Sequence, residues 1–206
     1  MVRPRADLPG PSAKERIERA FWSQLSEKDY SQMTVDSLCA DAGINHNTLY
    51  YHFGNLDRFA IFAVGESAAT SMACEIIPLF CGDVAACRGR SHVKSQSGFG
   101  RAISVAQNGS RALTSELVDS AIREWARAGE IDPDSLNDDE LRSCRVVFCG
   151  VVAALSSIPR SKVVSAGADF GRSPLGIAFA KELECIKDAH SRACSDTSTL
   201  GCNYKT

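Results

Sequence analysis

The segment Thr34–Phe59 constrains the fold more than any other part of the chain, because it predicts two short helices joined by a tight turn. Thr34 is a favourable N-cap residue, and apolar residues recur on one face of the helix that follows it. Gly43 can adopt the left-handed backbone conformation that ends a helix. Asn45 can cap a second helix over residues 46–53. This spacing predicts a helix-turn-helix.

Helical periodicity recurs through the rest of the 206 residues, so we expect an all-α protein. Further helices are predicted where a capping residue precedes an apolar stripe: at about 13–28, after Asn55, at 111–128, after Asn137 and after Ser173. Only Lys162–Ala166 has a strand-like pattern. Residues 88–100 are rich in Gly, Ser, Arg and Lys, and we expect them to form a mobile loop.

Composition narrows the class of protein. Hydrophobic residues make up 44% and charged residues 23%, which is typical of a globular chain and excludes a disordered one. The sequence has no run of 18 uncharged apolar residues, so no transmembrane helix and no membrane partner are expected. The first residues are not followed by an apolar stretch, so we expect no secretory signal and a cytoplasmic location.

Sequence motifs for a cofactor or a metal are missing. The nine cysteines include no Cys-x-x-Cys pair, so most are expected to be small core residues, with a thiol sensor or a metal sensor among them left open. Gly98-Phe99-Gly100 lacks the third glycine of a phosphate-binding loop. We therefore expect no cofactor and no metal site.

The second helix of the helix-turn-helix has the residues that a DNA-reading helix needs. Such a helix exposes hydrogen-bonding groups to bases while its other face packs on the domain. Leu49 and Phe53 are predicted to face inward. The expected base-facing residues are His46, Asn47 and Tyr51, the expected phosphate contacts are Thr48, Tyr50 and His52, and the caps Thr34 and Asn45 complete the predicted DNA-binding set.

These residues resemble the tetracycline-repressor (TetR) family of bacterial transcription regulators. The resemblance rests on Thr34-Val35, Leu38-Cys39, Ala42-Gly43-Ile44 and above all Thr48-Leu49-Tyr50-Tyr51-His52-Phe53, within residues 12 to about 65. It implies a regulator, usually a repressor and not an enzyme, that binds a near-palindromic double-stranded operator as a homodimer. It also implies an unknown small-molecule effector.

The family fold implies a three-helix DNA-binding head on a larger helical body. We assign residues 1–11 to a flexible basic arm and 12–57 to the head. The ligand-binding and dimerisation body is expected over 58–194, and a disordered tail over 195–206.

Two sets of body residues are candidates for function. Aromatic residues away from the longest apolar stripes suit the wall of a ligand pocket. The predicted pocket residues are Phe62, Phe99, Arg123, Trp125 and Phe148. The apolar stripes of the last two long helices look too long for one body to bury, which predicts a dimer interface. Its expected residues are Phe148, Val151, Val152, Leu155, Phe179, Leu183 and Ile186.

Two alternatives remain open. Residues 1–65 contain seven Lys or Arg against eight Asp or Glu, and Leu56 stands where the family often has a phosphate-contacting lysine. This thin positive charge suits a helical dimer that has lost operator recognition. The nine cysteines suggest an enzyme with a cysteine nucleophile, although no catalytic Cys/His motif supports it.

Overall fold

A computed structural model describes residues 11–87 and 96–200, and within these ranges every regular element is helical. This confirms the predicted all-α fold. The predictions for residues 1–10, 88–95 and 201–206 lie outside the described residues.

Three helices form the head. Helix α1 (Ala13–Glu27) begins with a capping box: Ser12 Oγ accepts from the backbone N–H of Glu15, and the Glu15 carboxylate accepts from the backbone N–H of Ser12. Helix α2 (Val35–Ala42) is followed by Gly43, whose φ of 60° is left-handed, as the sequence predicts. Helix α3 (His46–Phe53) follows this turn.

A bent series of helices leads from the head into the body. It consists of α4 (Leu56–Ser67), α5 (Ala69–Ser71), one π-helical turn over Met72–Ile76, and α6 (Ile77–Phe80). The series bends by 42° between Leu56–Ser67 and Ala69–Phe80. Only when taken together are these two segments long and apolar enough for a membrane span. In the described part of the chain, no single helix is long and apolar enough to cross a bilayer.

The remaining helices complete the body. They are α7 (Gly98–Asn108), α8 (Arg111–Ala128), α9 (Asp138–Ser157), α10 (Val163–Gly171) and α11 (Pro174–Leu200). The predicted caps at Asn55 and Asn137 are confirmed, because each side-chain oxygen accepts a backbone N–H of the first helical turn.

Two local predictions were wrong, and one helix extends further than the sequence indicates. Lys162–Ala166 is helical, because it spans the end of a one-turn helix and the start of α10. Residues 98–100 of the expected loop begin α7, where Ser97 caps the helix and Phe99 is fully buried. The backbone of residues 195–200, assigned to a disordered tail, continues α11.

The head joins the body through α1 and α7 as well as through the chain itself. The Asn108 side-chain amide donates to the Leu25 carbonyl at 2.8 Å, and the Gln96 amide donates to the Arg19 carbonyl at 3.3 Å. The Arg101 guanidinium lies 5.3 Å from the centre of a ring of buried Trp22. These contacts attach the first helix of the head to α7.

The predicted dimer residues are core residues of the monomer. Phe148, Val151, Val152, Leu155, Leu183 and Ile186 are all buried within the one chain, and Phe179 is half-buried. Within the single chain, α9 turns its stripe onto α7 and α8, as the 6.5 Å ring contact between Trp125 and Phe148 shows. Phe179 lies against Gly150 of α9, where an added Cβ would come within 3.0 Å of its ring. A second copy of the chain could reach these two helices only on their other faces.

Candidate nucleic-acid interface

Helix α3 has one anchored face and one open face. Leu49 is fully buried, and the Phe53 ring packs 4.9 Å from that of Phe59 on α4. On the open face Tyr51 is 85% exposed and Tyr50 is 49% exposed. Two large aromatic side chains left in solvent on a helix held in place from behind are available to a partner.

The polar residues of the predicted DNA-binding set surround this open face. His46, Asn47 and His52 are exposed and Thr48 is half-buried. The rings of Tyr51 and His52 are 5.1 Å apart and nearly perpendicular. The structure thus brings together on α3 all six residues predicted to contact bases or phosphates.

The two caps of the set are already engaged in holding the helices. Thr34 Oγ1 accepts from the Ser37 backbone N–H at 3.1 Å, and Asn45 Oδ1 accepts from the Asn47 backbone N–H at 2.9 Å. Their side-chain oxygens therefore set where α2 and α3 begin. The Asn45 amide NH₂ and the exposed edge of Thr34 remain for contacts outside the chain.

Sequence reasoning missed one partner of the recognition helix. Nε2 of His46 lies 3.3 Å from Oδ1 of Asp36, which is in the first turn of α2. Both side chains are open to solvent, His46 at 48% and Asp36 at 85%. The available signal was an acid early in α2 and a histidine at the start of α3, since a tight turn brings these two positions together.

Cations lie beside α3 in addition to those on the arm. Arg58 is exposed in the first turn of α4 and folds over the turn after α3, where a Cβ on Gly54 would be 3.7 Å from its Nη1. Lys14 Nζ lies 4.5 Å from the centre of the Phe62 ring. Tyr30 donates a 2.6 Å hydrogen bond to Asp57, and burial together with this bond raises the pKa of the phenol. Arg58 is therefore placed to meet a phosphate next to the recognition helix.

Residues 19–57 match the family of bacterial regulatory proteins described as the tetR family. The matched segment begins inside α1 and ends in the first turn of α4, so it contains the whole helix-turn-helix. The head is similar to the DNA-binding domain of this family. No curated protein and no solved structure matches the chain. The match covers the head and not the body, and the matched helix-turn-helix is of the kind found in DNA-binding transcriptional regulators.

The body has a polar groove next to the head. The groove, of about 270 Å³, lies between α4 and α8 and is called the α4–α8 groove below. Ile61 and Phe62 line its α4 side, and Arg123 lines its α8 side. Arg123 donates to Ser120 at 2.8 Å, and Ser120 donates to the Glu116 carboxylate at 2.5 Å. Two predicted pocket residues, Phe62 and Arg123, therefore line one groove.

The other predicted pocket residues lie elsewhere. Trp125 lines a second groove, of about 300 Å³, between α6, α8 and α11, and Lys187 Nζ lies 5.3 Å from the centre of a ring of Trp125. Phe99 and Phe148 are fully buried in the core. The five residues predicted to form a pocket are thus not gathered around either of these grooves.

Five thiols in the described part of the chain resist ionisation. Burial, with nearby carboxylates adding to it, raises the pKa of Cys144 to about 12 and that of Cys81 to about 11. The pKa values of Cys39, Cys74 and Cys149 are also raised, in each case mainly by burial. A nucleophilic cysteine needs a lowered pKa, so these five thiols have the opposite character.

Proposed function

We propose that this protein is a cytoplasmic, ligand-responsive repressor that binds a near-palindromic operator as a homodimer. The observation that carries the proposal is the open face of α3, with Tyr51 85% exposed beside polar residues while Leu49 anchors the helix. Two such helices, one from each copy, would enter successive major grooves about 34–36 Å apart.

The α4–α8 groove is the proposed effector site. Phe62 lines the groove, and its ring centre lies 5.7 Å from that of Phe53, the last residue of α3. A ligand that displaces Phe62 would therefore act directly on the base of the recognition helix. Opposite charges line the α8 side, where Arg127 pairs with Glu124 at 2.6 Å, so the groove suits a polar molecule with an apolar part.

The proposed dimer uses the outer faces of α9 and α11. Val146 is 65% exposed on α9, and Leu175 and Ile177 are 53% and 51% exposed at the start of α11. Cys149 and Cys185 are exposed on the same two helices. Burying such apolar side chains against a second copy would remove them from water at about 25 cal/mol per Å².

One experiment tests the proposal. The full chain is incubated with a pool of random duplex DNA, bound molecules are selected, and the oligomeric state is measured by light scattering. We expect an enriched motif with two inverted half-sites and a dimer at micromolar concentration. A dimer that enriches no motif would instead support the helical dimer without operator recognition. The raised thiol pKa values oppose the cysteine-enzyme alternative.

A further inference from the structure

The pairing of Asp36 with His46 goes beyond the proposed operator binding, although it rests on it. Asp36 lies in the first turn of α2, and His46 is the first residue of α3. Their side chains meet across the turn, with Nε2 of His46 3.3 Å from Oδ1 of Asp36. The pair is open to solvent, so both side chains are accessible to a partner that docks on α3.

The carboxylate decides which hydrogen-bonding group the histidine presents. A carboxylate oxygen offers only lone pairs, so a neutral imidazole is favoured with its proton on the nitrogen that faces that oxygen. Here that nitrogen is Nε2, and Nδ1 is left with a lone pair as an acceptor. The tautomer of a histidine is commonly set in this way by the partner of its other nitrogen.

We propose that Asp36 is a specificity-determining residue of the DNA interface, because it orients His46 and fixes its free nitrogen as an acceptor. In the major groove the complementary donors are the exocyclic amino groups of adenine and cytosine. His46 would therefore select a base with such an amino group at one position of each half-site. Asp36 is a positioning residue, which acts through His46.

The exposed carboxylate of Asp36 is unfavourable for DNA binding in general, so its presence at this position needs another explanation. Asp36 places a negative charge near the phosphates, which opposes binding to every DNA sequence alike. Its position early in α2 is favourable to the helix dipole, but Thr34 already caps that helix. An exposed acid on this surface is therefore best explained by what it does for its neighbour in α3.

The test compares Asp36→Asn, Asp36→Ala and His46→Ala in the full chain, with Glu27→Gln as the control. Glu27 is an exposed acid at the end of α1, so its variant removes one head charge away from α3. Selection from a random duplex pool measures base preference. We expect Asp36→Ala and His46→Ala to lose preference at the same base pair of each half-site, by about fivefold or more. A variant that combines Asp36→Ala with His46→Ala should show no greater loss of preference at that base pair than His46→Ala alone.

A second readout needs no DNA. The ¹⁵N chemical shifts of the His46 ring report which nitrogen carries the proton, and they are measured on the free, full chain at a pH where the ring is neutral. We expect Nδ1 to be unprotonated in the wild type and the two tautomers to mix in Asp36→Ala, which has no side-chain acceptor. Glu27→Gln should leave the ring unchanged.

The possible outcomes distinguish a failure of the role proposed for Asp36 from a failure of operator binding. A wild-type motif that Asp36→Ala retains at every position, or a ring tautomer that Asp36→Ala leaves unchanged, overturns the role of Asp36 while operator binding stands. A wild-type chain that enriches no motif overturns operator recognition, and the specificity role of Asp36 with it.

Discussion

Replacement of Tyr51 by alanine should separate DNA recognition from folding. The side chain is 85% exposed, and its ring meets His52 edge-on at 5.1 Å. Truncation therefore removes little buried area, and the free energy of unfolding should change by less than about 0.5 kcal/mol. Loss of a base-reading side chain should weaken binding to the preferred duplex by about 1–3 kcal/mol, which is about 5- to 150-fold in the dissociation constant.

Two variants in the same region serve as controls. Leu49→Ala removes a fully buried side chain from α3, which should cost about 2–5 kcal/mol of stability and so weaken binding to all sequences. Arg58→Ala should weaken binding to all sequences alike and reduce the slope of log affinity against log salt by about 0.9, as expected for one phosphate contact.

The assay combines thermal unfolding with binding titrations. Each variant is titrated against the selected duplex and its single-base variants at two salt concentrations. Tyr51→Ala should keep its melting temperature and its salt slope but lose discrimination between the duplexes. If Tyr51→Ala discriminates between them as well as the wild type does, the assignment of the open face of α3 to base reading is refuted.

Further predictions concern the body. Val146→Arg should give folded monomers in sedimentation, and a dimeric Val146→Arg variant would contradict the proposed interface. Val151→Arg changes a fully buried position and should unfold the chain. The thiol of Cys144 has its pKa raised from 9.0 to about 12, so the stability that this neutral thiol provides is present below about pH 9 and is lost between about pH 9 and 12. Denaturant titrations should therefore show that the free energy of unfolding falls less over this pH range in Cys144→Ala than in the wild type. An equal fall in both proteins would refute the buried-thiol explanation. An added Cβ on Gly176 would lie 2.3 Å from the Phe170 carbonyl oxygen, so Gly176→Ala should cost about 1–3 kcal/mol of unfolding free energy; an unchanged melting curve would show that α10 and α11 can move apart freely.

Local sequence signals predicted the helices well where capping chemistry is explicit. Gly43, Asn55 and Asn137 fix helix boundaries through their own backbone or side-chain geometry, so neighbouring residues suffice to read them. Phe99 was misjudged because the polar residues before it favour a loop, while burial against the body decides the outcome.

Features that depend on tertiary packing were harder to predict from the sequence. The apolar stripe of α9 is visible in the sequence, but its partner is decided by tertiary packing, and here α7 and α8 of the same chain cover it. The contact between Asp36 and His46 depends on the angle between two helices, which periodicity does not encode. The open face of α3 was predicted because helical spacing and a buried Leu49 determine it together.

The amide contacts between α1 and α7 set a thermodynamic requirement for any effector. Asn108 and Gln96 hold carbonyl oxygens of α1, and each such hydrogen bond contributes about 0.5–1.5 kcal/mol net. A rearrangement that separates the head from α7 must forgo these bonds. Since a ligand shifts an equilibrium only by its difference in affinity for the two states, an effector would have to prefer the released state by at least that amount. Two bonds of this strength correspond to roughly 5- to 150-fold in affinity, so a weakly discriminating ligand would bind and leave the head where it is.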